Sequence, residues 1–171
     1  MTIPIQEAPL PHFNERPSGI KIDTVVIHCM WAQHAPLDKA FDPLTCIAIL
    51  DNEKVSAHYS IDRAGGVWRH VAENKRAWHA GKSRMPGHDG RENVNDFSLG
   101  IELIGKPEEG FSPEQYLALA SLAKEILARY SIKNWLGHDD ISPGRKVDPG
   151  PKFEWDRFLA AIGAKSKTVV E

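Results

Sequence analysis

The sequence predicts an α/β fold, a single domain in which a central mixed β-sheet is flanked by helices. Three observations predict it. The chain has 171 residues and is 42% hydrophobic, which suits one buried core rather than two domains or a disordered chain. Its segments run in the order strand, helix, hairpin, strand, helix, strand, helix, the alternation that builds a sheet covered by helices. The run "TVVIH" at 24–28 is β-branched and apolar until its last residue, the mark of a strand buried on both faces.

Residues 1–20 are rich in proline without any period and read as an extended arm laid over the domain. The domain proper covers 21–163, and 164–171 form a polar tail. "TVVIH" ends in His28, and side chains at rigid strand ends point into clefts. In "FDPLTCIAILDN", Asp42 is an N-cap, Pro43 takes the first helical position, and Leu44, Ile47 and Ala48 share a face, so a helix is expected over 43–51. "VSAHYSIDRAGGVWRHV" reads as a hairpin turning at Gly65-Gly66. In "FSLGIELIG" strict alternation puts Leu99, Ile101 and Leu103 on one face and Ser98, Gly100 and Glu102 on the other.

"SPEQYLALASLAKEILARY" carries a capping box, with Ser112 as N-cap, Pro113 next and Gln115 at the third helical position. Its apolar stripe is Tyr116, Leu119, Ala120, Ala123 and Leu127. "IKNWLGH" repeats the first device, a short apolar strand that terminates in His138. The last helix turns Trp155, Phe158, Leu159 and Ile162 inward and stops at Gly163. Helices then lie on both faces of the sheet and leave a groove along one end of the strands.

Charge narrows the function. Lys and Arg number 21 against 23 Asp and Glu, a formal charge of −2, so there is no positive field to hold a phosphate backbone and nucleic acid is a poor partner. Cys29 and Cys46 are too few for a disulfide framework and read as small buried thiols. No apolar run is long enough to span a bilayer, and the first residues lack a basic segment followed by an apolar one, so a cytoplasmic protein without a membrane partner is expected.

The chemistry gathers on "GHDDISPGRKVDPG", 137–150, a stretch too broken by proline and glycine to read as a helix. His28 and His138 meet if their strands lie close, and Asp148 sits ten residues after His138 on a loop stiffened by Pro143 and Pro149. Two imidazoles and a carboxylate make an open zinc site whose fourth position holds water. Spacing alone leaves a plainer reading beside this one, in which the histidines are hydrogen-bonded core residues and the aspartate forms a turn. Glu102 favours chemistry, since a carboxylate in an apolar strand is costly unless paired or used, and a partly desolvated glutamate has the raised pKa of a general base. Lys146, two residues before Asp148, suits a developing oxyanion. Arg145 reads as a solvated cation. His58 is expected to pack in the hairpin, with His12, His34, His70 and His88 in loops or on exposed edges.

The set "VVIHCMW", "VSAHYSID", "RAWHAG", "GREN..NDFSLGIEL" and "GHDDISPGRKVDPGPKFEW" resembles the zinc-dependent N-acetylmuramoyl-L-alanine amidases of the AmpD type, relatives of phage amidases and of animal peptidoglycan recognition proteins. The likeness runs from residue 11 to about 163. It implies an amidase domain over 21–163, one zinc ion held by His28, His138 and Asp148, and Glu102 and Lys146 as catalytic residues. The substrate implied is muropeptide or peptidoglycan, cut between N-acetylmuramic acid, ordinary or 1,6-anhydro, and L-alanine. Trp78, His79, Arg91 and Asn95, with Asp96 on the same loop, are the expected substrate contacts. The phage enzymes have a tyrosine where this chain has Ala57, which leaves Glu102 as the base and Tyr59 without that role. Two positions depart from the usual pattern: Asn93 stands where a second arginine is common, and Asp62 where an arginine is frequent, so a stem-peptide carboxylate meets fewer cations. The same fold also serves non-catalytic peptidoglycan-binding modules and periplasmic or phage-encoded amidases acting on intact sacculus. The filled ligand positions favour an enzyme.

Overall fold

The structure, a computed structural model of the chain, describes residues 3–168. Along it run β1 (Ile5–Glu7), β2 (Phe13–Glu15), β3 (Thr24–Met30), α1 (Pro43–Asn52), β4 (Tyr59–Ile61), β5 (Val67–Arg69) and β6 (Lys75–Ala77). A 3₁₀ turn at Val94–Asp96 leads into β7 (Ser98–Ile104), followed by α2 (Pro113–Arg129), β8 (Asn134–Gly137), α3 (His138–Ile141) and α4 (Trp155–Ile162). The main sheet has six strands in the order β1-β5-β4-β7-β3-β8. It is mixed: β4, β7, β3 and β8 pair in parallel, β1 pairs in parallel with β5, and only β4 and β5 form an antiparallel hairpin. The ribbon β2-β6 stands apart as an antiparallel pair.

β7 lies between two parallel neighbours and is buried along its whole length. Its odd residues Leu99, Ile101 and Leu103 join Val25, Ile27 and Ile61 in the main core under α2 and α4. The opposite face is covered by α1, through Ile47 and Leu50 packed near Met30 and Trp68, and by the 80–97 segment, whose Met85, Val94 and Phe97 close over Val26.

α2 begins as expected: Ser112 Oγ accepts from Gln115 N, while Gln115 Oε1 accepts from Ser112 N, a cap worth about 1 kcal/mol. Gln115 Nε2 then donates to the carbonyls of Ile61 and Ile104, which ties the helix start to the ends of β4 and β7.

Several expectations change. β3 does not end at His28; it continues to Met30 because β7 supplies ladder partners as far as Ile104. The 137–150 stretch opens with a helical turn, where Gly137 N donates to Asp140 Oδ2 at 2.7 Å. Leu127 and Leu44 are exposed at 37% and 62%, and their inward places are taken by Ile126 on α2 and by Cys46 and Leu50 on α1. Before the domain, β1 adds to the sheet beside β5 and β2 pairs with β6. After it, Trp135 N donates to Lys167 O and Lys167 Nζ reaches Asp140, while 169–171 of the polar tail lie outside the described residues.

Candidate active site

His28 and Glu102 are ladder partners on β3 and β7, so their side chains leave the same face of the sheet side by side. Gly137, at the end of β8, pairs with Ile27, which brings His138 level with His28. Asp148 returns through the loop after α3, where its carbonyl accepts from Asp139 N at 3.0 Å. Parallel pairing thus assembles side chains that are over a hundred positions apart in the chain.

His28 Nδ1, His138 Nδ1 and Asp148 Oδ2 form a triangle with edges of 3.0, 3.1 and 3.2 Å. Ligand atoms about 2.0–2.1 Å from a tetrahedral ion stand about 3.3 Å apart, so the spacing suits one divalent cation, and the donor types are those zinc accepts. His138 Nε2 lies 3.1 Å from the carbonyl oxygen of Ala80, which can only accept. That nitrogen therefore carries the proton and Nδ1 turns a lone pair toward the triangle. Burial pulls the His28 pKa down to about 4, which keeps the ring neutral and able to ligate. Among the described residues no other group of histidine, cysteine and carboxylate side chains converges in this way.

Glu102 faces the same cleft and is only 8% exposed. Its Oε2 is buried without a hydrogen-bond partner among the described residues. Burial, then the charge of Asp148, pushes its pKa up to about 8, with Lys146 opposing. A carboxyl so placed is a proton carrier near neutral pH.

The cleft has a volume of about 310 Å³, with Leu50 and Val55 on one side and Trp78, Arg145 and Lys146 among its other lining residues. Trp78 is half-buried there, its Nε1 donating to Asn14 Oδ1 at 3.0 Å. His79 also lines the cleft. Its ring lies over Gly100, where a Cβ would come within 2.4 Å of His79 Cγ, and its nitrogens face His28 and Ser98. It thereby also backs His28 from behind. Asn95 is also turned inward, its Oδ1 accepting from His79 N and Ala80 N. Arg91 is not brought to the cleft. It pairs with Asp23 and Asp89, lies over Phe97, and lines a separate hollow of about 800 Å³. Asp96 pairs with Arg76 at 2.5 Å.

Both departures from the family pattern have local reasons. Asp62 closes the β4–β5 turn, Oδ1 accepting from Ala64 N and Gly66 N and Oδ2 from Trp68 Nε1. Asn93 has φ 56°, a left-handed conformation that asparagine tolerates better than arginine. Cys46 is buried, whereas Cys29 is half-buried and lines the cleft, with Sγ 3.8 Å from Pro149 O. His70 is buried rather than exposed, set between Ser60 Oγ and the Ala8 carbonyl. His58 accepts from Gly100 N beside the hairpin. His12 is half-buried against Asp51, and His34 and His88 are exposed.

Sequence reasoning missed Ser98, Arg145 and Arg16. Ser98 shares the Glu102 face of β7, but a hydroxyl in a strand carries no mark of a role. Arg145 is held by the carbonyls of Ala80 and Lys82 and by Ser142 Oγ, and a cation in a glycine- and proline-rich loop gives no sign of that. Arg16, in the arm, donates to the carbonyls of Glu73, Asn95, Asp96 and Ser98.

No described helix is long and apolar enough to cross a membrane. The model of the family described as N-acetylmuramoyl-L-alanine amidase matches residues 18–151. A 1,6-anhydro-N-acetylmuramyl-L-alanine amidase AmpD of Haemophilus influenzae is 38% identical over 168 residues, 89% of each chain. A crystal structure of a selenomethionine AmpD derivative superposes with a TM-score of 0.77 at 35% identity, covering 92% of this chain and 94% of the other. The amidase AmiD of E. coli, solved with anhydro-N-acetylmuramic acid-L-Ala-D-γ-Glu-L-Lys, superposes with a TM-score of 0.69 at 31% identity, over 91% of this chain and 67% of AmiD. A match that spans most of the chain, on a fold that converges the same face of three parallel strands, leads to one conclusion: the chain belongs to the N-acetylmuramoyl-L-alanine amidase family.

Proposed function

We propose that the chain hydrolyses the amide joining the lactyl group of 1,6-anhydro-N-acetylmuramic acid to the L-alanine of a stem peptide, with one zinc ion held by His28, His138 and Asp148. The reading is carried by Glu102, which lines the cleft that also holds the three donors and keeps a buried Oε2 without a hydrogen-bond partner among the described residues. Zinc bound there supplies Lewis acidity, polarising the scissile carbonyl and making a water acidic enough to attack near neutral pH. Glu102 takes a proton from the attacking water and returns it to the departing nitrogen, so that the products are a lactyl carboxylic acid and a free L-alanine amine. Lys146 offsets the negative charge gathering on the carbonyl oxygen. Trp78 gives sugar or peptide a flat apolar wall. Similarity over most of both chains to AmpD, a 1,6-anhydro-N-acetylmuramyl-L-alanine amidase by name, supports the anhydro sugar as the substrate form; soluble fragments in the cytoplasm are the proposed setting.

The test sets zinc-loaded protein against anhydro-muropeptides and against polymeric sacculi in parallel, with products identified by mass. Free anhydro sugar and peptide from the soluble substrate are expected. Release from sacculi alone would overturn the substrate assignment, and no release from either would overturn the reaction. Glu102→Gln is expected to lower turnover by about 10²–10⁴-fold while zinc content stays unchanged; an active variant removes Glu102 from the role.

A further inference from the structure

His28 gives one ring nitrogen to the donor triangle and the other, Nε2, to a second imidazole, His79, whose Nδ1 is 3.0 Å away. A histidine facing a histidine leaves the protons undetermined, since either nitrogen can donate. The next two contacts settle them. His79 Nε2 lies 3.1 Å from Ser98 Oγ, and Ser98 Oγ lies 2.6 Å from the carbonyl oxygen of Val94. A carbonyl only accepts, and two oxygens at that distance without a hydrogen between them repel, so the hydroxyl proton goes to Val94. Ser98 Oγ is then left to accept from His79 Nε2–H. The buried, neutral His79 ring has only Nδ1 to accept with, and His28 Nε2–H donates to it. His28 Nδ1 is consequently bare, as His138 Nδ1 is by its own bond to Ala80.

We propose that Ser98 and His79 are positioning residues that lock His28 in the tautomer whose Nδ1 lone pair faces the metal site. The chain of bonds begins at a fixed backbone carbonyl, so its direction is set before any ion arrives. Three electron-pair donors then face one another at 3.0–3.2 Å, an arrangement that a divalent cation relieves and that, without one, draws in a shared proton. Gly100 makes room for the relay, since His79 occupies the space above it. The inference rests on the metal reading above and gives that reading a cause in the fold.

The test uses the full chain, metal-free and zinc-loaded. Long-range ¹H–¹⁵N correlation spectra of the imidazoles in the metal-free wild type are expected to show His28 and His79 both protonated at Nε2. Zinc affinity, read by competition with a chromophoric chelator, is expected to fall roughly 10–100-fold in Ser98→Ala and in His79→Phe. His79→Asn, whose Oδ1 replaces the accepting Nδ1, is expected to stay within about threefold of wild type, although phenylalanine fills the space better. Packing alone predicts the reverse order of these two variants. Protonation of His79 at Nδ1 in the metal-free wild type, or His79→Phe binding zinc as tightly as His79→Asn, would overturn the relay. Wild-type protein that takes up no zinc would instead overturn the metal reading, and the spectra alone would then decide the tautomers.

Discussion

Glu102 carries two opposed demands in one side chain. Its burial is what makes it a proton carrier, and the same burial destabilises the fold whenever the carboxyl is ionised. The folded pKa is raised to about 8 from an ordinary 4.5, so between those values the folded chain holds a proton that the unfolded chain has lost. Stability of the metal-free protein should therefore fall as pH rises through that window. Glu102→Gln removes the titration but keeps the shape. Denaturant melts of the metal-free proteins are expected to show the variant more stable by about 2–4 kcal/mol at pH 8, with the gap closing toward pH 4.5. A constant gap across pH would mean that the carboxyl ionises freely in the fold. This residue was legible in the sequence because a lone acid in an apolar strand has few innocent explanations. Ser98, two positions from Gly100 on the same face, was not, because a hydroxyl fits a strand without any special purpose.

The elements that sequence patterns revealed are those whose hydrogen bonds are local. α2 announces itself by a capping box that closes within its own first turn, and α4 by a stop at Gly163, φ 75°. The three-residue strands β1, β2 and β6 have too few positions to show a period, and their partners are remote: Phe13 opposite Ala77, Ile5 opposite Val67. Leu44 and Leu127 were misplaced because helical period fixes a stripe only to within a neighbouring residue. Arg16 shows what such non-local pairing achieves. It fastens the segment after β2 to the carbonyls around the 3₁₀ turn, and Asn95 in that turn in turn holds the backbone of His79 and Ala80. Arg16→Ala leaves those acceptors without their donor and is expected to cost about 2–3 kcal/mol in a denaturant melt. Zinc affinity should drop with it, since His79 loses its backbone support; unchanged affinity would mean that the turn holds itself.

At the scale of the molecule, the donors at 28, 138 and 148 come together only in the folded chain, so a metal bound there favours folded over unfolded protein by mass action. Removing it with a chelator is expected to lower Tm and abolish hydrolysis, and adding zinc should restore both. At free zinc a thousand times Kd the stabilisation is about 4 kcal/mol; a Tm indifferent to chelator would count against His28, His138 and Asp148 as the ligands. The order of helices and strands was readable from the chain, but the pairing of β3 with both β7 and β8 was not, since strand partners separated by 74 and 110 residues leave no mark in local composition. That pairing has an outcome for how the protein ages and varies. With the Glu102 carboxyl and the His28 imidazole at the two ends of one rung, their separation is inherited from the interstrand spacing of about 4.8 Å. Surface segments can lengthen, drift or be rebuilt without disturbing it. A slip of one strand by a single residue would swing its group into the apolar layer beneath and leave the other behind, so turnover doubles as a gauge of whether the central strands have found each other correctly.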